Sequence, residues 1–341
     1  MMTADSDNNV FGRTLNPNNT SLTAGGSTGG EGALIALRGS ILGVGTDIGG
    51  SIRIPSMSNG IYGIKPTSTV FPYSGQQSPG APGSAAFSAS AGPMATSMRS
   101  CRFLLKSVVG AEPWKFDFGC DKLPWAGISP EIGGSKLRVG YVEDDGNFTV
   151  WPPMARALKS SIEKLERAGV TVVPISLPIV KEITENSISY FLLDGGKVTQ
   201  PEPNSQVKHK LTNKTQHTTA IFASTGEPPI ASVAGFGAPS GVHTSLENLM
   251  KFNALRTEHR QLYNNFWRET NLDCIILAPA PHPAPKLDQW KVINYLVPWN
   301  YLDYPACIIP VGRVEAGDVP GKAKYGAEDE AVYAACKLMS S

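Results

Sequence analysis

The sequence predicts an α/β fold, a mixed and largely parallel β-sheet flanked by helices. Apolar strand segments alternate with helical segments along most of the chain. Lys136 to Ile175 has the pattern of a strand, a helix and a second strand, and two strands joined in this way must be parallel. The 341 residues, of which 41% are hydrophobic, can form a core of the size that such a domain needs.

In the first part of the chain, turn-forming residues come before the first regular elements. Asn16 to Gly30 is rich in turn residues and glycine, and a short helix is predicted to begin near Gly29. The segment "ILGVGT" predicts a buried strand. Gly75 to Pro93 is small, polar and rich in proline and glycine, which predicts a loop, and "TSMRSCRFLLKSVVG" then has helical spacing.

The second part of the chain carries the strand–helix–strand unit. Its helix, "PMARALKSSIEKLERAG", starts with proline and ends with glycine, as helices prefer. Residues 201–245 have no clear period and predict an irregular surface excursion, either a plain long loop or one that lines a substrate entrance. A long helical pattern from Ser245 and the apolar strands "DCIILAPA" and "PACIIPVG" follow. We therefore expect one domain over residues 1–341.

Composition excludes several classes of partner. Thirty basic and 29 acidic side chains give a formal net charge of +1, which favours neither nucleic acid nor an anionic membrane as a partner. The N-terminus lacks the features of a signal peptide and no stretch of eighteen residues is apolar, so we expect a cytoplasmic protein without a membrane span. No spacing indicates a metal or an organic cofactor, and the five cysteines are expected to be free thiols: Cys101, Cys120, Cys274, Cys307 and Cys336.

Two glycine-rich segments are candidates for chemistry, "AGGSTGGEG" around Ser27 and "GTDIGGSIR" around Ser51. A nucleophile needs an exposed oxygen beside free backbone N–H groups, and glycines let the main chain turn tightly and approach a substrate. Ile48, Gly49, Gly50 and Ser51 could supply such a row of donors. Taken alone, Gly-Gly-Ser is also the sequence of an ordinary turn.

Other interpretations of these residues are weaker. "GGSTG" fits the G-x-S-x-G elbow of an α/β-hydrolase esterase, but no apolar strand precedes it. Neither glycine segment has the pattern of a nucleotide-binding loop. No motif connects a serine to any of the five histidines, His209, His217, His243, His259 and His282. The residues alone therefore indicate a candidate serine nucleophile with an oxyanion hole.

The run from "FGRTLNPNNTSLTAGGSTGGEGAL" to "GTDIGGSIRIPSMSNGIYGIKPT" closely resembles the amidase signature family, especially its fungal acetamidase-like and fatty acid amide hydrolase-like members. The resemblance is most specific over residues 1–72, which hold both serines, and continues more weakly through most of the chain. It implies the amidase signature fold and hydrolysis of a carboxylic acid amide to an acid and ammonia or an amine. The expected partner is a small-molecule amide, with a homodimer left open.

The resemblance also implies roles for individual residues. Ser51 matches the acylated nucleophile, and Ser27 matches the serine that sits in a cis peptide and relays the proton. The oxyanion-hole positions match Ile48, Gly49 and Gly50, and Met1 falls at a position that lies against the substrate. Thr28 stands where a second serine is commoner.

The third member of the family's Ser-cisSer-Lys relay is a buried, neutral lysine that precedes the first glycine–serine segment. No residue here matches it, and Lys65, in "GIKPT", matches a different family position. The sequence also stops before the closing elements expected in relatives, so we expect a domain that is truncated at both ends. The alternative to an amidase is therefore a catalytically inactive remnant or fragment that keeps only the pocket.

Overall fold

A computed structural model of the protein describes residues 3–76, 87–126, 137–191, 245–319 and 321–337. Met1 and the predicted excursion up to residue 244 lie outside these ranges. The first half of the chain contains the ribbon strands β1 (Asp7–Asn8) and β2 (Gly12–Arg13), followed by α1 (Gly29–Ala36), β3 (Leu42–Asp47), α2 (Arg53–Asn59), β4 (Tyr62–Lys65), β5 (Ser90–Ala95) and α3 (Met98–Gly110).

After a short 3₁₀ turn at Pro113–Lys115, the second half begins with the predicted strand–helix–strand unit. Its elements are β6 (Arg138–Val142), α4 (Pro152–Arg167) and β7 (Thr171–Pro174). The remaining elements are α5 (Val180–Phe191), α6 (Leu246–Thr270), β8 (Cys274–Leu277), α7 (Val297–Tyr301), β9 (Ala306–Ile308) and α8 (Ala327–Lys337).

The mixed α/β class predicted from the sequence is confirmed, with its parallel part confined to one sheet. The strands β7, β6 and β8 form a parallel three-stranded sheet in that order. The strands β3, β5, β4 and β9 form a four-stranded sheet in which all pairings are antiparallel. Among the described strands, antiparallel pairing is thus more common than the sequence predicts.

The predicted loop from Gly75 to Pro93 is wrong at its end, because β5 begins at Ser90. All six residues of β5 are buried between β3 and β4, and four of them are serine, alanine or glycine, residue types that suggest a loop in the sequence. Leu42 pairs with Ala95 and Asp47 with Ser90, which fixes the point where β3 ends. That end carries the candidate nucleophile.

Apolar clusters pack the helices around this end of β3. Ile35, Ile52, Ile61 and Met94 fill the space between α1, α2 and the antiparallel sheet. A second cluster, Ile54, Phe148, Val292, Tyr295 and Leu296, lies on the other side of α2. None of the helices in the described ranges has both the length and the apolar composition that a membrane span requires.

Candidate active site

The loop that carries Ser51 leaves β3 at Asp47 and enters α2 at Arg53. Asp47 is buried, and its carboxylate accepts hydrogen bonds from the backbone N–H of Gly50 at 2.8 Å and of Ile52 at 3.2 Å. A carboxylate that accepts several nearby amides in this way closes a tight turn. The side chain of Asp47 therefore fixes the shape of the loop from within.

Arg53 neutralises the buried charge of Asp47. Its Nε and Nη2 each donate to the carboxylate at 2.9 Å. Nη1 donates to the carbonyl oxygen of Leu296 at 2.8 Å, and Nη2 also donates to Oδ1 of Asn300 at 2.5 Å. Burial by itself raises the pKa of Asp47, but Arg53 and the other donors outweigh it and lower the pKa to about 2.

Three main-chain donors of the loop point to no protein acceptor in the described part of the chain, namely the N–H groups of Ile48, Gly49 and Ser51. The fourth predicted donor, Gly50, differs because its N–H is bonded to Asp47. Gly50 has φ +129°, and a Cβ on it would lie 2.8 Å from Cδ1 of Leu296. In this structure Gly50 supplies the turn of the loop rather than a free donor.

The first glycine–serine segment lies directly against the second. Gly25, with φ +78°, approaches α2 so closely that a Cβ would lie 2.8 Å from Cα of Pro55. The Gly26–Ser27 peptide bond is cis, as the resemblance implies. The Ser6 hydroxyl lies 3.1 Å from the carbonyl oxygen of Gly25 and 3.2 Å from that of Ser27, and can donate to either.

Thr28 joins the two segments. Its N–H donates to the carbonyl oxygen of Ser51 at 3.2 Å, and its hydroxyl lies 3.4 Å from both the N–H and the carbonyl oxygen of Thr46. These bonds hold residues that are 23 positions apart in the sequence, 28 and 51, side by side. Ser27 and Ser51 are both partly exposed, so both can meet a small molecule.

Lys65 is buried, but its described contacts do not involve either serine. Its Nζ donates to the carbonyl oxygen of Pro66 at 3.1 Å and lies 4.0 Å from Oδ1 of Asp303. Burial, with the nearby charge of Arg53, lowers the pKa of Lys65 to about 8. Lys65 therefore interacts with the buried charges of Asp47 and Arg53 and with Asp303, and not with the two serines.

The two histidines in the described ranges also have other partners. His259 bonds to Tyr301 and Glu182, and His282 bonds to the carbonyl oxygen of Pro283. Asp47, Arg53 and Asn300 are parts of the site that the sequence motifs do not indicate. The six-residue spacing of Asp47 and Arg53 around the glycines was the available signal, whereas Asn300 gives none because it is 253 residues from Asp47.

Both the sequence and the fold match those of known proteins. The family model described as "Amidase" matches residues 1–330. The chain is 31% identical over 320 residues to an amidase of Gibberella moniliformis, covering 92% of this chain and 56% of that protein. It is also 31% identical over 322 residues to an acetamidase of Emericella nidulans, covering 91% of this chain and 55% of that protein.

A solved structure of a fatty acid amide hydrolase superimposes with a TM-score of 0.78 at 31% sequence identity. The alignment covers 90% of this chain and 51% of that one. The chain thus spans a little over half the length of the curated relatives that it matches. From the match over residues 1–330 and the shared fold, we conclude that this chain belongs to the amidase family.

Proposed function

We propose that the protein hydrolyses a carboxylic acid amide through an acyl-enzyme on Ser51. The observation that carries this proposal is the row of backbone N–H groups of Ile48, Gly49 and Ser51 beside the partly exposed Ser51, none of which has an acceptor among the residues that the structure describes. Fixed N–H groups of this kind stabilise the negative charge that develops on a carbonyl oxygen during acyl transfer. The Asp47–Arg53 pair keeps the row in place before the substrate arrives.

In the proposed reaction, Ser51 Oγ forms a bond to the amide carbon while the carbonyl electron pair moves onto oxygen. The free N–H groups of Ile48, Gly49 and Ser51 bind this oxyanion. When it collapses, the carbon–nitrogen bond breaks, and Ser27 passes the proton taken from Ser51 to the departing ammonia or amine. Water then attacks the ester carbon, one of its protons returns through Ser27 to Ser51 Oγ as the ester bond breaks, and the acid is released.

The proton relay needs a final base beyond Ser27. The resemblance implies a neutral lysine in that role, and none of the residues of this chain matches it. Loss of a general base lowers a rate by roughly 10²–10⁴-fold, whereas an intact oxyanion hole retains part of the catalysis. We therefore propose that the 341-residue chain alone reacts slowly at Ser51, and that adding a lysine-bearing segment raises the rate of this reaction.

For the substrate we propose a small aliphatic amide. The acetamidase of Emericella nidulans favours a small amide, and the solved fatty acid amide hydrolase favours a long-chain one. Both are 31% identical to this chain. The two acetamidases among its relatives, for which 91% and 98% of this chain are covered, favour a small amide such as acetamide. A long-chain acyl amide is the competing substrate that the experiment includes.

The test combines labelling with a fluorophosphonate, which reacts with activated serines, and ammonia release from acetamide and from a long-chain acyl amide. The 341-residue chain is compared with a version extended upstream by any lysine-bearing sequence in the gene. We expect mass spectrometry to find the label on Ser51, with Ser51→Ala unlabelled and Ser27→Ala labelled more slowly. The matched control is Ser21→Ala, because Ser21 is exposed and bonds only locally to Asn19.

Each result selects one interpretation. Label on Ser51 with faster turnover in the extended form supports the amidase, whereas equally fast turnover in the unextended chain shows that another residue serves as the base. Label on Ser27 indicates the esterase-like alternative. Absence of label and turnover in both forms indicates the inactive remnant.

A further inference from the structure

A line of polar side chains crosses the apolar cluster formed by α5, α6 and α7. His259 of α6 is 4% exposed and Tyr301 of α7 is fully buried. Around them pack the apolar and aromatic side chains of Phe87, Ile183, Tyr190, Tyr263, Val297 and Leu302. Polar groups in such surroundings are costly unless they are hydrogen-bonded, so their bonds specify one arrangement of the three helices.

The directions of these hydrogen bonds follow from chemistry. Asn186 Nδ2 can only donate, so the Tyr301 oxygen accepts from it at 2.6 Å. The hydroxyl hydrogen of Tyr301 is then available to His259 Nδ1, which lies 3.1 Å away. With Nδ1 accepting, a neutral His259 carries its proton on Nε2 and donates to Glu182 Oε1 at 3.3 Å.

Tyr301, one of these hydrogen-bonded side chains, belongs to α7, the helix that contacts the loop of Ser51. Next to Tyr301 in α7, Asn300 Nδ2 donates to the main-chain oxygen and to Oδ1 of Asp47, both at 3.0 Å. Leu296, which precedes α7, receives the Nη1 bond of Arg53 and packs on Gly50. The five-residue helix α7 therefore contacts the loop on one side and His259 on the other.

We propose that His259 is a positioning residue, which fixes Tyr301 and through α7 holds the loop Ile48–Ser51 in its reactive geometry. The inference rests on the proposed function of Ser51, which His259 itself does not contact. Small displacements of a reacting group lower its rate strongly, by roughly 10²-fold for 1 Å. Replacing His259 by an apolar residue leaves the buried Tyr301 hydroxyl without its acceptor and frees α7 to shift.

The test compares His259→Leu with His259→Gln, whose amide can both accept from Tyr301 and donate to Glu182. The control is Gln261→Ala, an exposed position on the same helix. Two readouts are taken well below the melting temperature. They are the second-order rate of Ser51 labelling and the hydrogen–deuterium exchange of peptides that cover residues 45–55.

We expect His259→Leu to slow Ser51 labelling by about tenfold and to speed exchange at residues 48–51, with His259→Gln near the parent. If His259→Leu does not fold, Tyr301→Phe removes the same hydroxyl and keeps the ring. Unchanged labelling and unchanged exchange at residues 48–51 in the folded variant would overturn the inference. A parent protein that never labels at Ser51 refutes the proposed function instead, and the exchange measurement still decides whether His259 holds the loop.

Discussion

Asp47 and Arg53 form an ion pair from which water is excluded, with Nε and Nη2 each 2.9 Å from the carboxylate and both side chains at most 2% exposed. The pair stands at the two ends of the loop that carries Ser51, so it sets the distance between β3 and α2. Removing one member of a buried pair leaves the other charge without compensation.

We therefore predict that Arg53→Met lowers the free energy of unfolding by about 3–5 kcal/mol. The control is Lys115→Met, because the Lys115–Glu112 pair is exposed and should contribute at most about 1 kcal/mol. Urea unfolding of both variants at pH 7 measures the difference. Equal and small losses in the two variants would show that the Asp47 charge is compensated without Arg53.

Substitution by alanine should damage the loop at Gly50 and be tolerated at the neighbouring Gly49. At Gly50, φ is +129° and a Cβ would lie 2.8 Å from Leu296 and 3.0 Å from Ile54. At Gly49, φ is not in the left-handed region, and the nearest atom to a Cβ is 4.0 Å away on Val297. We expect Gly50→Ala to abolish Ser51 labelling and lower the melting temperature.

Gly49→Ala is the matched variant, with a melting temperature close to that of the parent. It changes neither the backbone conformation nor the free N–H of residue 49. If Gly50→Ala labels as fast as Gly49→Ala, the loop is not held as rigidly as its contacts indicate. Thermal unfolding and the labelling rate together separate loss of fold from loss of geometry.

The sequence was sufficient for the elements whose pattern is local. The strand–helix–strand unit was predicted with its parallel pairing, because Pro153 and Gly169 delimit an amphipathic helix. The two glycine–serine segments were also recognised, since their residue types carry the resemblance. What could not be predicted depends on distant pairing, such as Asn300 with Asp47, or on burial of small residues, as in β5.

Lys65 should make the free energy of unfolding depend on pH at alkaline pH. Burial lowers its pKa to about 8 from a usual value of 10.5, so between these pH values the unfolded chain binds more protons than the folded protein. Stability then rises with pH across this window, by at most about 1.4 kcal/mol per pH unit. The difference in unfolding free energy between the parent and Lys65→Met should therefore grow from pH 8 to 10.5.

A difference that is flat over this window would contradict the lowered pKa of Lys65. The control is Lys122→Met, which removes an exposed lysine. Taking differences removes the contributions of the tyrosines and cysteines that titrate in the same range in all three proteins.

His282 should make the free energy of unfolding depend on pH on the acid side of neutrality. The residue is 2% exposed, Nδ1 lies 2.8 Å from the carbonyl oxygen of Pro283, and the ring makes a T-shaped contact with Trp290 at 5.0 Å between centroids. Since Nδ1 must donate to the carbonyl, Nε2 is the unprotonated nitrogen of the neutral ring, and it is buried with no hydrogen-bond partner in the described part of the chain. Burial, the larger effect, lowers the pKa of His282 below its usual 6.5.

Below pH 6.5 the unfolded chain therefore binds a proton at His282 that the folded protein does not. Stability from this residue is complete above pH 6.5 and is lost as the pH falls towards the lowered pKa, by at most about 1.4 kcal/mol per pH unit. We expect the unfolding free energy of the parent to fall more steeply from pH 6.5 to 5 than that of His282→Phe, measured by urea unfolding. Parallel curves would mean that His282 accepts a proton in the folded protein, and hence that Nε2 has access to solvent. Because the other four histidines are present in both proteins, their titration cancels from the comparison.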